Sequence, residues 1–190
     1  MSQGQGPGPT EVDGPVTPEA GVEGEGAHLA GLGDRFLTAL AAREKNDIDA
    51  AAELLRSILK VEPRLAEPQM ELARILMESE QLDEAEEYAR EAVKILESGG
   101  QWTDDLPENV VLSAAWSVLA EVLRRRADTD EVVFGDEAAF KEIMDETRAA
   151  FRRAADLDPT NEHAVSWAFG FDPAAAAAEQ VADHDDTPEA

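Results

Sequence analysis

The side chains that most often carry chemistry in enzymes and metal sites are scattered along this sequence. The three histidines lie far apart, at His28, His163 and His184, whereas a metal site needs its ligands close together. The chain has no cysteine, so it can form neither a thiolate metal site nor a disulfide. No phosphate-binding glycine loop and no nucleophile elbow is present. The sequence therefore predicts no metal, no cofactor and no enzymatic activity.

One acidic segment has the spacing of a cation site but is better explained as the end of a helix. Side chains with an oxygen atom occupy alternate positions from Asp156 to Glu162, namely Asp156, Asp158, Thr160 and Glu162, as they do in calcium-binding loops. Pro159 interrupts the segment, and the glycine that such loops require is missing. We therefore interpret the segment as a helix terminus.

The balance of charges limits the possible partners. The chain carries 16 Lys and Arg against 42 Asp and Glu, a formal net charge of −26, so its surface should repel nucleic acids and anionic membranes. The simplest interpretation is that this charge keeps the protein soluble. The alternative is that the acidic surface mimics a nucleic acid and so captures basic proteins. The first residues have no signal-peptide pattern, and no apolar stretch approaches the ~20 residues of a membrane span. We therefore expect a cytoplasmic protein.

Both ends of the chain differ in composition from its middle. Residues 1–26 are rich in Gly and Pro and contain no Lys or Arg, which predicts disorder. Residues 173–190 form an alanine-rich acidic tail, in which the alanine run can form a short helix. The folded domain is therefore predicted to span residues 27–172.

The middle of the chain has the apolar spacing of amphipathic helices, and the pattern repeats. Apolar residues recur every three or four positions over two stretches. The stretches match at a shift of 34 residues, with Asp49 over Asp83, Ala51 over Ala85, Glu53 over Glu87, Arg56 over Arg90 and Lys60 over Lys94. Runs of strand-favouring residues are scarce. The pattern predicts an all-α fold built from repeated helices.

This period resembles that of the tetratricopeptide repeat, a helix pair with the pattern W-x2-L-G-x2-Y, then A-x3-F and a closing proline. The three repeats fall at about 32–65, 66–99 and 107–160. Trp116 begins the best-matching first helix, and Pro159 closes the last repeat. The sequence resembles acidic tetratricopeptide-repeat proteins of the bacterial type. This resemblance implies a right-handed superhelix of three helix-turn-helix repeats. It also implies a C-terminal capping helix at about 161–169 and disordered termini.

The third repeat is longer than the other two. Its first helix is delayed by a segment containing Gly99, Gly100 and Pro107, which are residues that end one helix and begin the next. A second insertion precedes Asp136, the predicted N-cap of a helix that runs to about Leu157. Insertions in repeat proteins often carry function.

In this family the first helix of each repeat lines a concave groove that binds a peptide or helix of another protein. The groove positions implied by the resemblance are Phe36, Leu40, Arg43, Met70, Arg74, Met77, Ser117, Glu121, Arg124 and Arg125. They would give an apolar floor with a few basic residues, since methionine adapts to irregular partners and arginine binds carboxylates. Alternatively, Met70 and Met77 fill gaps between helices, and the arginines are a solvated face.

Two further features of the third repeat could contact a partner. Basic residues gather there, at Arg124, Arg125, Arg126, Lys141, Arg148, Arg152 and Arg153. They could receive an acidic segment, or they could pair with acids one helical turn away. An apolar triplet, Val132, Val133 and Phe134, lies in an acidic loop. We expect it to fold back on the repeat, with a partner contact as the alternative.

The resulting prediction is a protein-interaction module that acts as an adaptor or scaffold through the groove. Its partner would be a protein or peptide with acidic and apolar residues. The alternative is a dedicated chaperone, because the chain resembles the small acidic chaperones of type III secretion translocators. One subset of the family binds heat-shock chaperones through a clamp of Lys, Asn and Arg. That clamp is absent, since its positions hold Phe36, Leu40, Glu71, Ala114 and Val118.

Overall fold

The computed structural model describes residues 20–100 and 106–170, which are α-helical and contain no strand within those ranges. The helices are α1 (Ala20–Glu44), α2 (Ile48–Val61), α3 (Ala66–Glu78), α4 (Leu82–Glu97), α5 (Glu108–Ala127), α6 (Asp130–Val133), α7 (Glu137–Leu157) and α8 (Glu162–Phe169). The chain divides into two compact units, Met1–Asp34 and Arg35–Ala190. The predictions of disorder for 1–19 and of an acidic tail from 173 onward fall outside the described residues.

In the first unit, the predicted start of ordered structure is wrong for residues 20–26. These residues belong to α1, which begins at Ala20. Their glycine content argued for disorder, but lengthening an existing helix requires no new nucleus and adds one backbone hydrogen bond for each residue fixed. The helix therefore extends further toward the N-terminus than composition alone predicts.

The turns inside the first two helix pairs have the same backbone structure. Asn46, between α1 and α2, and Glu80, between α3 and α4, both have a positive φ, of 61° and 58°. The following residue then donates to the carbonyl oxygen five positions back, Asp47 to Ala42 and Gln81 to Leu76, both at 2.9 Å. The 34-residue sequence period is therefore also a period of backbone geometry.

Alanine allows the helices of the second unit to pack closely. Ala51 of α2 and Ala85 of α4 occupy equivalent positions 34 residues apart, and both are fully buried. Ala39 and Ala73 form a second such pair, on α1 and α3. A methyl group keeps two helix axes near the short end of the usual separation of about 8–10 Å. These small side chains set the spacing of the helix pairs.

The ends of the helices around the third repeat confirm the predicted caps. Gly99 has a φ of 76° just after α4, and Gly100 donates its N–H to the carbonyl oxygen of Ile95 at 2.9 Å, which is a glycine-terminated helix end. Pro107 is the N-cap of α5. The Asp136 side chain accepts from the N–H of Ala138 at 2.9 Å and so caps α7, which ends at Leu157.

The last helix is fastened to the third pair by one asparagine. Asn161 caps α8 by accepting from the N–H of Ala164 at 3.1 Å. Its Nδ2 donates to the hydroxyl oxygens of Ser113 and Ser117 on α5, both at 3.0 Å. The buried Ser113 hydroxyl in turn donates to the carbonyl oxygen of Ala154 on α7 at 2.8 Å. This network fixes α8 against the end of the third helix pair.

Candidate functional site

Helices α3, α5 and α8 enclose a cavity of about 240 Å³ on the surface of the second unit. Its apolar part comes from Met77 and from Val118, which is only 5% exposed. Its polar part comes from Arg74, Glu78, Ser117, Glu121 and His163. We call this cavity, together with the adjoining Arg43, Glu71, Arg124 and Trp167, the first-helix surface, because most of its residues lie on the first helices of the three pairs.

Carboxylates at one side of the first-helix surface hold its arginines. Glu71 accepts a hydrogen bond from Arg43 Nη1 at 2.6 Å and another from Arg74. Arg43 also donates to Glu78 at 2.7 Å. Partial burial lowers the pKa of Arg43, but the hydrogen bonds and negative charges of Glu78 and Glu71 outweigh it and raise that pKa above its ordinary value. Both arginines are therefore oriented before any partner arrives.

The opposite side of the surface combines charge with aromatic rings. Glu121 bridges Arg124 Nε, at 2.7 Å, and His163 Nε2, at 2.9 Å. The Arg124 guanidinium also lies 5.3 Å from the centre of the Trp167 ring, within cation–π range. Trp167 stacks on the buried Phe151 at 5.6 Å and is itself 42% exposed. The surface thus ends in a partly exposed aromatic ring that contacts both a buried ring and a guanidinium group.

Six of the ten predicted groove residues lie on or beside this surface, and the other four do not; the six are Arg43, Arg74, Met77, Ser117, Glu121 and Arg124. Met70 is a wrong assignment, since it is 6% exposed and packs in the main core, in agreement with the gap-filling alternative. Arg125 points instead toward the turn between α3 and α4, where it pairs with Glu80 at 3.2 Å. Phe36 is partly buried and packs against the core, and Leu40 is half-buried.

Five residues of the surface were absent from the predicted set: Glu71, Glu78, Val118, His163 and Trp167. Glu71 lies one helical turn before Arg74 and two before Glu78, so the open face of α3 runs along Glu71 rather than along its neighbour Met70. His163 and Trp167 come from α8, which the sequence identified only as a cap. The four-residue spacing of His163 and Trp167, which puts both on one face of α8, was the available signal.

The basic cluster predicted for the third repeat is dispersed in the structure. Arg124 pairs with Glu121 and Asp128, whereas Arg126 reaches α4, where it pairs with Glu86 at 2.6 Å. On α7, Lys141 and Arg148 both pair with Asp145. These bases therefore point in several directions and are neutralised by the chain itself. Arg124, Lys141 and Arg148 pair with acids one helical turn away, as the alternative had it, whereas Arg126 pairs between helices.

The expectation that the apolar triplet folds back is wrong for two of its three residues. Val132 is partly buried and lines a cavity beside α4. Val133 and Phe134 remain 50% and 82% exposed at the end of α6. The four residues of α6 are too few to turn all three side chains inward, because successive helical positions point about 100° apart.

Two negative observations apply to residues 20–100 and 106–170. No group of three or more His, Asp or Glu side chains in those ranges is placed to hold a metal ion. No helix in the same part of the chain is both long and apolar enough to cross a membrane.

The stacked helix pairs and their open surface define a helical-repeat protein. Residues 42–108 match the family model of the tetratricopeptide repeat, and this part of the chain is a tetratricopeptide-repeat domain. Among solved structures it is similar to one titled "Crystal structure of MamA protein", with 15% sequence identity, 80% of this chain and 85% of that chain covered, and a TM-score of 0.34. No curated protein matches the sequence. Domains of this family are non-catalytic modules that bind other proteins or peptides.

Proposed function

We propose that this protein is an adaptor or scaffold that binds a peptide segment of its partner on the first-helix surface. The observation that carries the proposal is the cavity of about 240 Å³ between α3, α5 and α8, which has an apolar floor and a charged rim. A cytoplasmic location remains a prediction from composition.

The chemistry of the cavity indicates what the peptide must contain. Met77 and Val118 offer room for one apolar side chain, and methionine adapts its shape to the side chain it meets. Arg74 already bonds Glu71, yet its side chain is 32% exposed and can donate to a further carboxylate or carbonyl group. Glu78 and Glu121 can accept from backbone or side-chain N–H groups. The preferred ligand is therefore an apolar residue flanked by polar or acidic ones.

The first prediction tests this surface by placing a charge on its floor. We expect Met77→Arg to abolish or weaken by about tenfold the binding of the native partner, because a guanidinium cannot enter an apolar pocket without losing hydration. The partner would be captured from native lysate with the full chain and with residues 27–172, and its affinity for each variant measured by calorimetry. Capture by both the full chain and residues 27–172 would place recognition in the repeats.

The matched control for this test is Val61→Arg. Val61 is the 45%-exposed last residue of α2 and does not line the cavity. Equal affinity loss in both variants, or undiminished binding by the Met77 variant, would show that the partner binds elsewhere. Circular dichroism and the melting temperature check that each variant folds.

A dedicated chaperone is the second candidate, and Met77 in the cavity floor is the observation that favours it. A chaperone binds a client that is unfolded when alone, whereas a scaffold binds a folded surface. Limited proteolysis of the captured partner, alone and in the complex, separates the two. A partner that is digested alone but protected in the complex is a client, and one that resists digestion in both states supports the scaffold.

A further inference from the structure

A second concave surface lies between α4, α5 and the start of α7, away from the first-helix surface. Two cavities, of about 510 Å³ and about 270 Å³, share the side chains of Arg126, Ala139 and Ile143. None of their lining residues belongs to the cavity that contains Met77. We call the two cavities together the insertion groove, since its far wall is formed by α6 and the first turns of α7.

The long insertion of the third repeat creates this groove. Residues 137–142 of α7 are exposed, whereas the same helix is buried further along at Ala150 and Phe151. The early turns of α7 therefore stand clear of α4 instead of packing against it. From Asp136 to Glu146 the groove follows α7 for about 15 Å, which is nearly three helical turns.

The groove combines an acidic rim with an apolar floor. Six carboxylates line it: Glu80, Asp83, Glu86, Asp136, Glu142 and Glu146. Three arginines offset part of this charge, since Arg126 pairs with Asp83 and Glu86, Arg90 with Glu86 and Glu146, and Arg125 with Glu80. Among the described residues, neither Asp136 nor Glu142 has an ion-pair partner. The rim therefore keeps a net negative charge.

Apolar side chains form the floor and continue past one end of the groove. Leu82, Leu123 and Ile143 line it, with Val132 beside them. Val133 and Phe134 follow directly in the chain and are 50% and 82% exposed. An apolar strip bordered by acids on a chain of net charge −26 is complementary to a ligand with an apolar face and positive flanks.

We propose that the insertion groove binds a cationic amphipathic helix from another protein, with its apolar face on the floor and its Lys and Arg residues on the acidic rim. The remainder of this chain cannot supply that helix. Residues 1–19, 101–105 and 171–190 contain no Lys or Arg, so they would add negative charge to the rim. A second copy of the chain carries the same excess of 26 negative charges.

The test uses a fluorescent synthetic peptide of leucine and lysine, about 14 residues long, with its leucines on one helical face. Its binding to the full chain is measured by anisotropy at about 0.15 M salt, where long-range attraction between charges is screened. We expect Ala139→Trp to weaken binding about tenfold, because the indole fills the groove. Ala138→Trp is the matched control, since Ala138 is exposed on the same turn but does not line the groove. It should change the affinity by less than about twofold.

A second pair of variants tests the rim. Glu142→Lys should weaken binding by about fivefold, and Glu87→Lys, on the exposed side of α4 outside the groove, should have a much smaller effect. Amide shifts in an NMR titration should concentrate in residues 80–86, 123–132 and 136–146. Equal weakening by both members of either pair, or shifts spread evenly over the acidic surface, would mean nonspecific attraction and overturn the proposal. The proposal would also be overturned if the chain bound no peptide but formed a dimer that Ala139→Trp dissociates.

Discussion

Glu71 organises one side of the first-helix surface. Its carboxylate is 12% exposed and bonds Arg43 of α1 and Arg74 of α3, so it links two repeats as well as orienting both guanidinium groups. Hydrogen bonds to charged groups contribute more than neutral ones, about 1.5–3 kcal/mol each. The pairs are only partly buried, however, because the arginine side chains are 30% and 32% exposed, and solvent screening reduces that contribution.

The prediction at this scale is that Glu71→Gln lowers the free energy of unfolding by about 1–2 kcal/mol. The amide loses the negative charge, and its NH₂ group replaces one of the two carboxylate oxygens, so one of the two arginines loses its acceptor and faces another donor. Urea denaturation measures the change. Glu87→Gln, on an exposed part of α4, is the control and should stay within about 0.5 kcal/mol of the unmodified chain. Equal stability of both variants would show that the Arg43–Glu71–Arg74 group contributes only orientation.

At the scale of helices, two glycines differ in whether a larger side chain could replace them. A Cβ atom at Gly100, after the end of α4, would approach Ile95 Cγ2 to 2.5 Å and the Ile95 carbonyl oxygen to 2.8 Å. Gly33 lies inside α1, and a Cβ atom there would meet nothing within 4 Å. The first glycine makes a close backbone contact possible, whereas the second only weakens its helix.

We therefore expect Gly100→Ala to destabilise the protein and Gly33→Ala to stabilise it. The first substitution forces the helix end to shift, at a cost of about 1–3 kcal/mol. The second should add about 0.5–1 kcal/mol, because alanine loses less conformational entropy in a helix. Thermal unfolding by circular dichroism gives both signs. A stabilising Gly100→Ala would contradict the tight end of α4.

The periodicity of apolar residues predicted which segments are helical, but it did not fix how each helix is rotated. Successive residues of a helix differ in direction by about 100°, so a shift of one position moves Met70 into the core and brings Glu71 to the surface. Caps were better determined, because Asp136, Gly99 and Pro107 act through local backbone geometry. The spacing of His163 and Trp167 places both on one face of α8, but nothing local in the sequence shows what that face contacts, such as Glu121 for His163.

For the molecule as a whole, ion pairs between the helices stabilise the fold, whereas the excess of negative charge opposes it. Each of the 16 basic residues could be neutralised by one of the 42 acids, and that would still leave an excess of 26 negative charges. Many arginines reach acids on neighbouring helices, as Arg43, Arg90 and Arg126 do. The surplus acids repel one another, and folding brings them closer together.

The final prediction follows from this surplus. Between about 0.02 and 0.3 M NaCl, we expect the free energy of unfolding to rise by about 1 kcal/mol or more, because added salt shortens the Debye length from about 20 Å to below 6 Å. Salt screens the attractive pairs as well, but those pairs are at contact distance, whereas the repulsion acts over longer separations that salt screens first. Urea is the denaturant of choice here, since guanidinium chloride is itself a salt. A chain in which several exposed Asp or Glu residues outside both surfaces are replaced by Gln or Asn should show a smaller salt response. A fall in stability with salt would mean that the inter-helix ion pairs outweigh the net charge.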